Sequence, residues 1–106
     1  MFAVHLCDVK AIEGKKNIEK IVVSATTASV LIDLDSKIFP MISEITFIDH
    51  ELFNGHELNQ IKSEVLKLKL NVSDQDQEVF LENILKLIDA AMSMNLWILF
   101  NPFYEY

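Results

Sequence analysis

Two long stretches in the second half of the chain carry apolar residues at helical spacing, and they constrain the fold most. Leu58, Ile61, Val65 and Leu68 recur every three or four positions, with Leu66 and Leu70 widening the stripe. Phe80, Ile84, Leu87, Ile88 and Ala91 do the same, extended by Leu81, Leu85 and Met92. Stripes this broad must be covered, so two packed helices are expected. Asn54-Gly55-His56-Glu57 reads as the first start signal, with Asn54 as N-cap and Glu57 three residues on. Asn71 ends that helix. Ser73-Asp74-Gln75-Asp76 opens the second, where the helix dipole favours acids.

The first half reads differently. Phe2, Val4 and Leu6 alternate with Ala3, His5 and Cys7, the period of a strand. Glu13-Gly14-Lys15-Lys16-Asn17 is a turn signal. Ile18 to Ser24 and Ser29 to Asp35 are rich in β-branched residues and predict two more strands, joined by a turn at Ala25-Thr26-Thr27-Ala28. One helix across Ile18 to Leu34 is the competing reading, disfavoured because β-branched side chains lose rotamer freedom there. Pro40 predicts an irregular apolar loop or one short turn across Ile38 to Ile45. Thr46 to Phe53 is expected to be irregular, with a brief extended piece at Ile45 to Ile48. After Asn95, the run Leu96-Trp97-Ile98-Leu99-Phe100 predicts a strand buried on both faces, stopped by Pro102. Strands segregated from helices give an α+β fold: an antiparallel sheet of about four strands against two helices, one domain over residues 1–106.

Charge narrows the partners. The formal net charge is −7, with no arginine. Residues 1–50 hold five lysines against seven acids, and residues 51–106 hold four against nine, so the second half is the more negative. Nucleic-acid binding needs cations for phosphates and favours Arg at base edges, so no nucleic-acid partner is expected. Anionic membrane surfaces are disfavoured for the same reason. A basic protein fits better, because complementary fields speed encounter. The uncharged run Ala90 to Tyr104 is too short to span a bilayer. A lone cysteine, Cys7, and the absence of a basic leader before Asp8 predict a reducing, cytoplasmic setting.

Reactive constellations are sparse. His50 and His56 lie six apart beside Asp49, Glu51 and Glu57, a spacing unlike that of metal sites, which need ligands converging at about 2.0–2.3 Å. His5 and Cys7 share a strand face, but no third group or oxyanion donor accompanies them. Asp33 and Asp35 would share a face of the third strand, where a solvated strand end is the simpler reading than an acid–base pair. The only glycines are Gly14 and Gly55, so there is no phosphate loop. No catalytic residue, cofactor or metal is expected. A small metal enzyme built on Asp33 and Asp35, or on His50 and His56, stays open as a third reading.

From Ile38 onward the chain resembles small bacterial immunity proteins of polymorphic-toxin and contact-dependent growth inhibition (CdiI-like) systems. The likeness rests on several features. Phe39-Pro40-Met41-Ile42 is followed by an acidic and aromatic loop to Phe53-Asn54. One helix carries Leu58, Ile61, Glu64, Val65 and Leu68, a second carries Leu85 and Ile88, and an apolar strand closes the domain. Phe100-Asn101-Pro102 stands where such proteins often have Phe followed by Gly-Asp. The resemblance implies a cytosolic antidote that occludes a toxin domain, often a nuclease with a basic cleft, without catalysis. Expected contacts are Asp49, Glu51, Asp74, Asp76 and Tyr104, with Tyr106 a further aromatic candidate. The alternative is an adaptor that forms homodimers by self-pairing of its C-terminal strand.

Overall fold

A computed structural model describes residues 1–8 and 16–105. Strands β1 (Phe2–Asp8), β2 (Lys16–Val23), β3 (Glu51–Phe53) and β4 (Trp97–Asn101) form one antiparallel sheet in the order β2-β1-β4-β3. Helices α2 (His56–Lys69) and α3 (Gln75–Met94) cover one face, and a four-residue helix α1 (Ala25–Ala28) leans on α3. The α+β class and the four-stranded antiparallel sheet agree with the sequence reading. Of the turn predicted over 13–17, residues 13–15 lie outside the described residues, as does the aromatic Tyr106, and Lys16 and Asn17 already belong to β2 instead of the turn.

The membership of the sheet differs from expectation. No strand forms across Ser29 to Asp35. Ser24 accepts the Thr27 N–H at 3.2 Å and caps α1, and a 3-10 turn continues over Ser29–Leu31. Leu31 is buried in the core. Strand propensity spans only about 1 kcal/mol, so a capped turn that buries Leu31 outweighs it. Asp33 then takes a left-handed conformation (φ 59°), and the Asp35 carboxylate accepts the Lys37 N–H at 2.9 Å. These two acids therefore do not share a strand face. The fourth strand is β3, downstream of the extended piece expected at Ile45 to Ile48. Ile42–Glu44 forms a 3-10 turn, the short turn expected near Pro40.

The C-terminal strand is central, paired with β1 on one side and β3 on the other. It is buried as predicted at Ile98, Leu99 and Phe100, and Trp97 is half-buried. The strand expected to be a self-pairing edge is thus internal, with both of its sides hydrogen-bonded within the chain.

Alternation sorts the sheet residues. Phe2, Val4 and Leu6 of β1 share the helix side with Ile98 and Phe100 of β4 and Phe53 of β3. Leu58, Ile61, Val65 and Leu68 of α2 and Phe80, Ile84, Leu87, Ile88 and Ala91 of α3 complete this core. Each such large apolar side chain stabilises the fold by about 1.5–3 kcal/mol when fully buried. Leu66 and Leu70, predicted to widen the α2 stripe, are exposed, and Glu64 takes the inward position between Ile61 and Leu68. On the solvent side Lys62–Asp89 (2.7 Å) and Lys69–Glu82 (3.1 Å) tie α2 to α3, worth about 0–1 kcal/mol each.

The helix ends follow local chemistry. Asp74 caps α3 by accepting the Gln77 N–H at 2.9 Å, and Asn95 leaves it in the left-handed conformation (φ 57°, ψ 47°). At α2 the Glu57 carboxylate accepts the Asn54 N–H at 3.2 Å, half of a capping box, but Gly55 rather than Asn54 holds the cap position. Gly55 sits at φ 56°, ψ −126°, which side chains with a Cβ strongly disfavour. No atom lies within 4 Å of where a Cβ would stand, so the strain of a substitution is confined to the backbone. Gly55→Ala is expected to lower stability by about 1–3 kcal/mol, read as a shift of the urea midpoint at constant m-value.

Candidate protein-binding surface

The loop between the 3-10 turn at 42–44 and β3 presents apolar and acidic side chains together. Thr46 Oγ1 accepts the backbone N–H groups of Ile48 and Asp49, each at 3.2 Å, and this hydroxyl-centred turn sets the loop's shape. Phe47 packs edge-on against Phe2 (6.1 Å between centroids), and His50 packs edge-on against Phe103 of the C-terminal tail (5.2 Å). Ile48 has nothing to bury it and is 73% exposed, and Phe103 is 54% exposed. The same segment carries the carboxylates of Glu44, Asp49 and Glu51, the first two close enough to act on the third. Partial burial, then the negative charges of Glu44 and Asp49, push the Glu51 carboxyl above its ordinary range. A cation brought to this rim would relieve that repulsion.

The other face of the sheet carries a second, smaller buried layer. Lys20, His5, Leu99 and Leu52 form one cross-strand row there. His5 is 3% exposed. The Tyr104 ring lies 5.9 Å from the imidazole, and Lys20 Nζ sits 5.3 Å from the centre of the Tyr104 ring. Asn101 Oδ1 accepts the Phe103 N–H at 2.9 Å, so the amide nitrogen is the atom facing His5 Nε2 at 3.3 Å. Nε2 must then accept, which leaves the proton on Nδ1. That nitrogen is buried with no hydrogen-bond partner among the described residues. Burial, then the charges of Lys20 and His50, lower the His5 pKa below its ordinary 6.5. The unfolded chain therefore binds the proton more tightly than the folded one. Stability from this group is complete above pH 6.5 and is lost as pH falls below it. His5→Phe is expected to flatten the loss of stability between pH 6.5 and the lowered folded value, measured by thermal unfolding across that range.

Glu64 is the third unusual group. It is 1% exposed, and all its contacts are internal. Oε1 accepts the N–H groups of Met41 and Ile42 at 3.0 Å each, and Oε2 accepts from Gln60 Nε2 at 2.7 Å. This carboxylate anchors the 3-10 turn after Pro40 onto α2.

The expected contact residues do not form one patch. Asp49 and Glu51 lie at the β3 edge. Asp74 is occupied as the α3 cap, and Asp76 lines a cleft beside β2. Tyr104 lies half-buried over His5. Edges β2 and β3 are separated by two strands, roughly 14 Å at the usual strand spacing. Sequence reasoning missed Phe47, Ile48, Phe103 and Glu44. The available signal was a pair of adjacent apolar residues, Phe47-Ile48, directly before Asp49 in a stretch with no helix or strand periodicity.

The residues weighed for chemistry stay apart. Among the described residues no three His, Cys, Asp or Glu side chains converge as a metal site, and His50 is engaged with Phe103. His5 and Cys7 do share a face of β1, both buried. No helix among the described residues is long and apolar enough to cross a membrane. Comparisons with protein-family models, with characterised proteins and with solved structures find no match.

Proposed function

We propose that this chain is a non-catalytic, cytoplasmic binding protein of the immunity type, occluding a basic toxin domain. The observation that carries this reading is the loop at 46–50. Exposed Phe47 and Ile48 share this loop with Asp49, whose charge, together with that of Glu44, acts on Glu51, and Phe103 packs on His50 at the end of the loop. Apolar anchors inside a charged rim are the composition of an interface hot spot. The rim's sign selects a cationic partner, and the net charge of −7 steers it inward. Asp49 and Glu51 are contacts in this reading. Asp74 is not, because its carboxylate already caps α3.

The test is co-purification with the product of the adjacent gene, followed by calorimetry at two salt concentrations. The double variant Asp49→Lys/Glu51→Lys is expected to weaken binding about 100-fold. Ile48→Asp is expected to weaken it about tenfold without loss of fold, since Ile48 is 73% exposed. Absence of any hetero-partner, or a stable homodimer by light scattering, would count against the proposal. Substrate turnover by the pure chain would overturn its non-catalytic part.

A further inference from the structure

We propose that the outer edge of β2, together with the cleft separating it from α3, receives an extended strand from a partner protein. The site is distinct from the acidic loop and does not depend on it. In an antiparallel pair, alternate residues direct their N–H and C=O groups away from the neighbouring strand. No described strand lies on the outer side of β2, so these groups face outward along Glu19 to Val23. Natural sheets usually shorten, bend or cover such an edge. Here the pairing of β2 with β1 is bulged at Ile18, but beyond the bulge Glu19 to Val23 run in regular register beside a trough.

Two adjoining clefts of about 340 and 300 Å³ make up the trough and share Ile21 and Asn83. Glu19, Ile21 and Val23 stand opposite Leu6, Val4 and Phe2, so their side chains lie on the helix side, toward α3. Val79 and Phe80 of α3 form the facing apolar wall, and Val79 is 46% exposed. An added strand would place alternate side chains into this trough while its backbone pairs with β2, the strand-addition mode of recognition.

Charge specifies the occupant. Asp76 borders the cleft at the Val23 end and Lys86 at the Glu19 end, and neither makes an ion pair among the described residues. Ser24, Thr27 and Gln75 close the trough at the Asp76 end. The fitting strand is basic over Asp76, apolar over Ile21 and Val79, and acidic over Lys86. A second copy of this chain is disfavoured, because each copy carries −7.

The experiment titrates ¹⁵N-labelled protein with capped Lys-Thr-Val-Thr-Val-Thr-Glu, and with the same peptide carrying Glu at both ends. The first peptide is expected to shift the amide signals of Glu19 to Val23, Val79 and Asn83, and to protect alternate β2 amides from exchange. Val79→Glu is expected to weaken binding about tenfold, with an unchanged melting temperature as its folding control. Asp76→Lys is expected to reverse the preference between the two peptides. Several outcomes overturn the proposal: no shift at millimolar peptide, shifts confined to β3 or residues 46–50, indifference to Val79→Glu, or β2 protection that arises from self-association by light scattering.

Discussion

Replacing Glu64 with Leu is expected to lower the unfolding free energy by about 3–5 kcal/mol, because a buried and a part-buried backbone donor lose their acceptor at once. Met41 N–H and Ile42 N–H both end on Glu64 Oε1 at 3.0 Å, and Gln60 Nε2 donates to Oε2 at 2.7 Å. Each buried donor left without a partner costs about 1–3 kcal/mol, since water cannot reach it. Leu has nearly the right size and fits the stripe between Ile61 and Leu68, so the packing term opposes the loss only partly. Glu64→Gln keeps one carbonyl oxygen for Met41 and Ile42, and about 1–2 kcal/mol is expected from the weaker, uncharged acceptor. Urea unfolding of both variants measures the difference. Equal losses for Leu and Gln would show that the carboxylate is not what holds the turn after Pro40. A native-like m-value would show that the rest of the fold is intact.

Phe100→Ala is expected to lower stability by about 3–5 kcal/mol, the range for emptying a buried aromatic site. Phe100 is fully buried on the central strand β4 and meets Phe53 edge-on at 5.8 Å, with a 78° angle between the rings. Val4 lies opposite it on β1 and Glu51 on β3, so the site is bounded by strands on both sides and collapses poorly. The same cavity loosens the ring contact by which Phe53 of β3 meets β4. Amide exchange at Glu51–Phe53 is therefore expected to quicken more than exchange at β2. Leu66→Ala is the matched control: Leu66 is exposed on α2, and its loss is expected to stay within about 0.5 kcal/mol. If Phe100→Ala and Leu66→Ala cost the same, the sheet core described above is misplaced.

Glu64 also bears on the binding surface. The turn it anchors leads directly into Glu44 and the loop at 46–50. A variant that frees this turn is expected to disturb the acidic rim without altering any rim residue. In a binding assay, Glu64→Leu, compared with Glu64→Gln, which keeps an acceptor for the turn, therefore separates positioning from contact.

What could be read from the chain followed physical scale. The helices were legible because stripes such as Phe80, Ile84, Leu87 and Ala91 repeat over many turns, and one misplaced residue does not erase them. Asp74 and Asn95 marked the ends of α3 because capping is a local interaction among residues a few positions apart. Strand β1 was legible from alternation, and β4 from its unbroken apolar run. The region at 29–35 misled because β-branching is a weak preference, and a cap at Ser24 with burial of Leu31 exceeds it. The three residues of β3 are too short to carry any period.

The candidate surfaces were less legible. Acidity at Asp49, Glu51, Asp74 and Asp76 was visible as composition, but a count of charges carries no distances. Asp74 turned inward to its helix, Asp76 went to the β2 edge, and Asp49 and Glu51 went to the opposite edge.

Periodicity, local caps and net charge are properties of neighbours along the chain, and by themselves they determined two helices, an antiparallel α+β class and a negative molecule. Which strand lies inside the sheet, that Glu64 rather than Leu66 faces inward, and where apolar and acidic side chains meet at 46–50 depend on residues far apart in sequence. Only the packed structure decided these, because burial and pairing are settled by whichever distant segments close on one another.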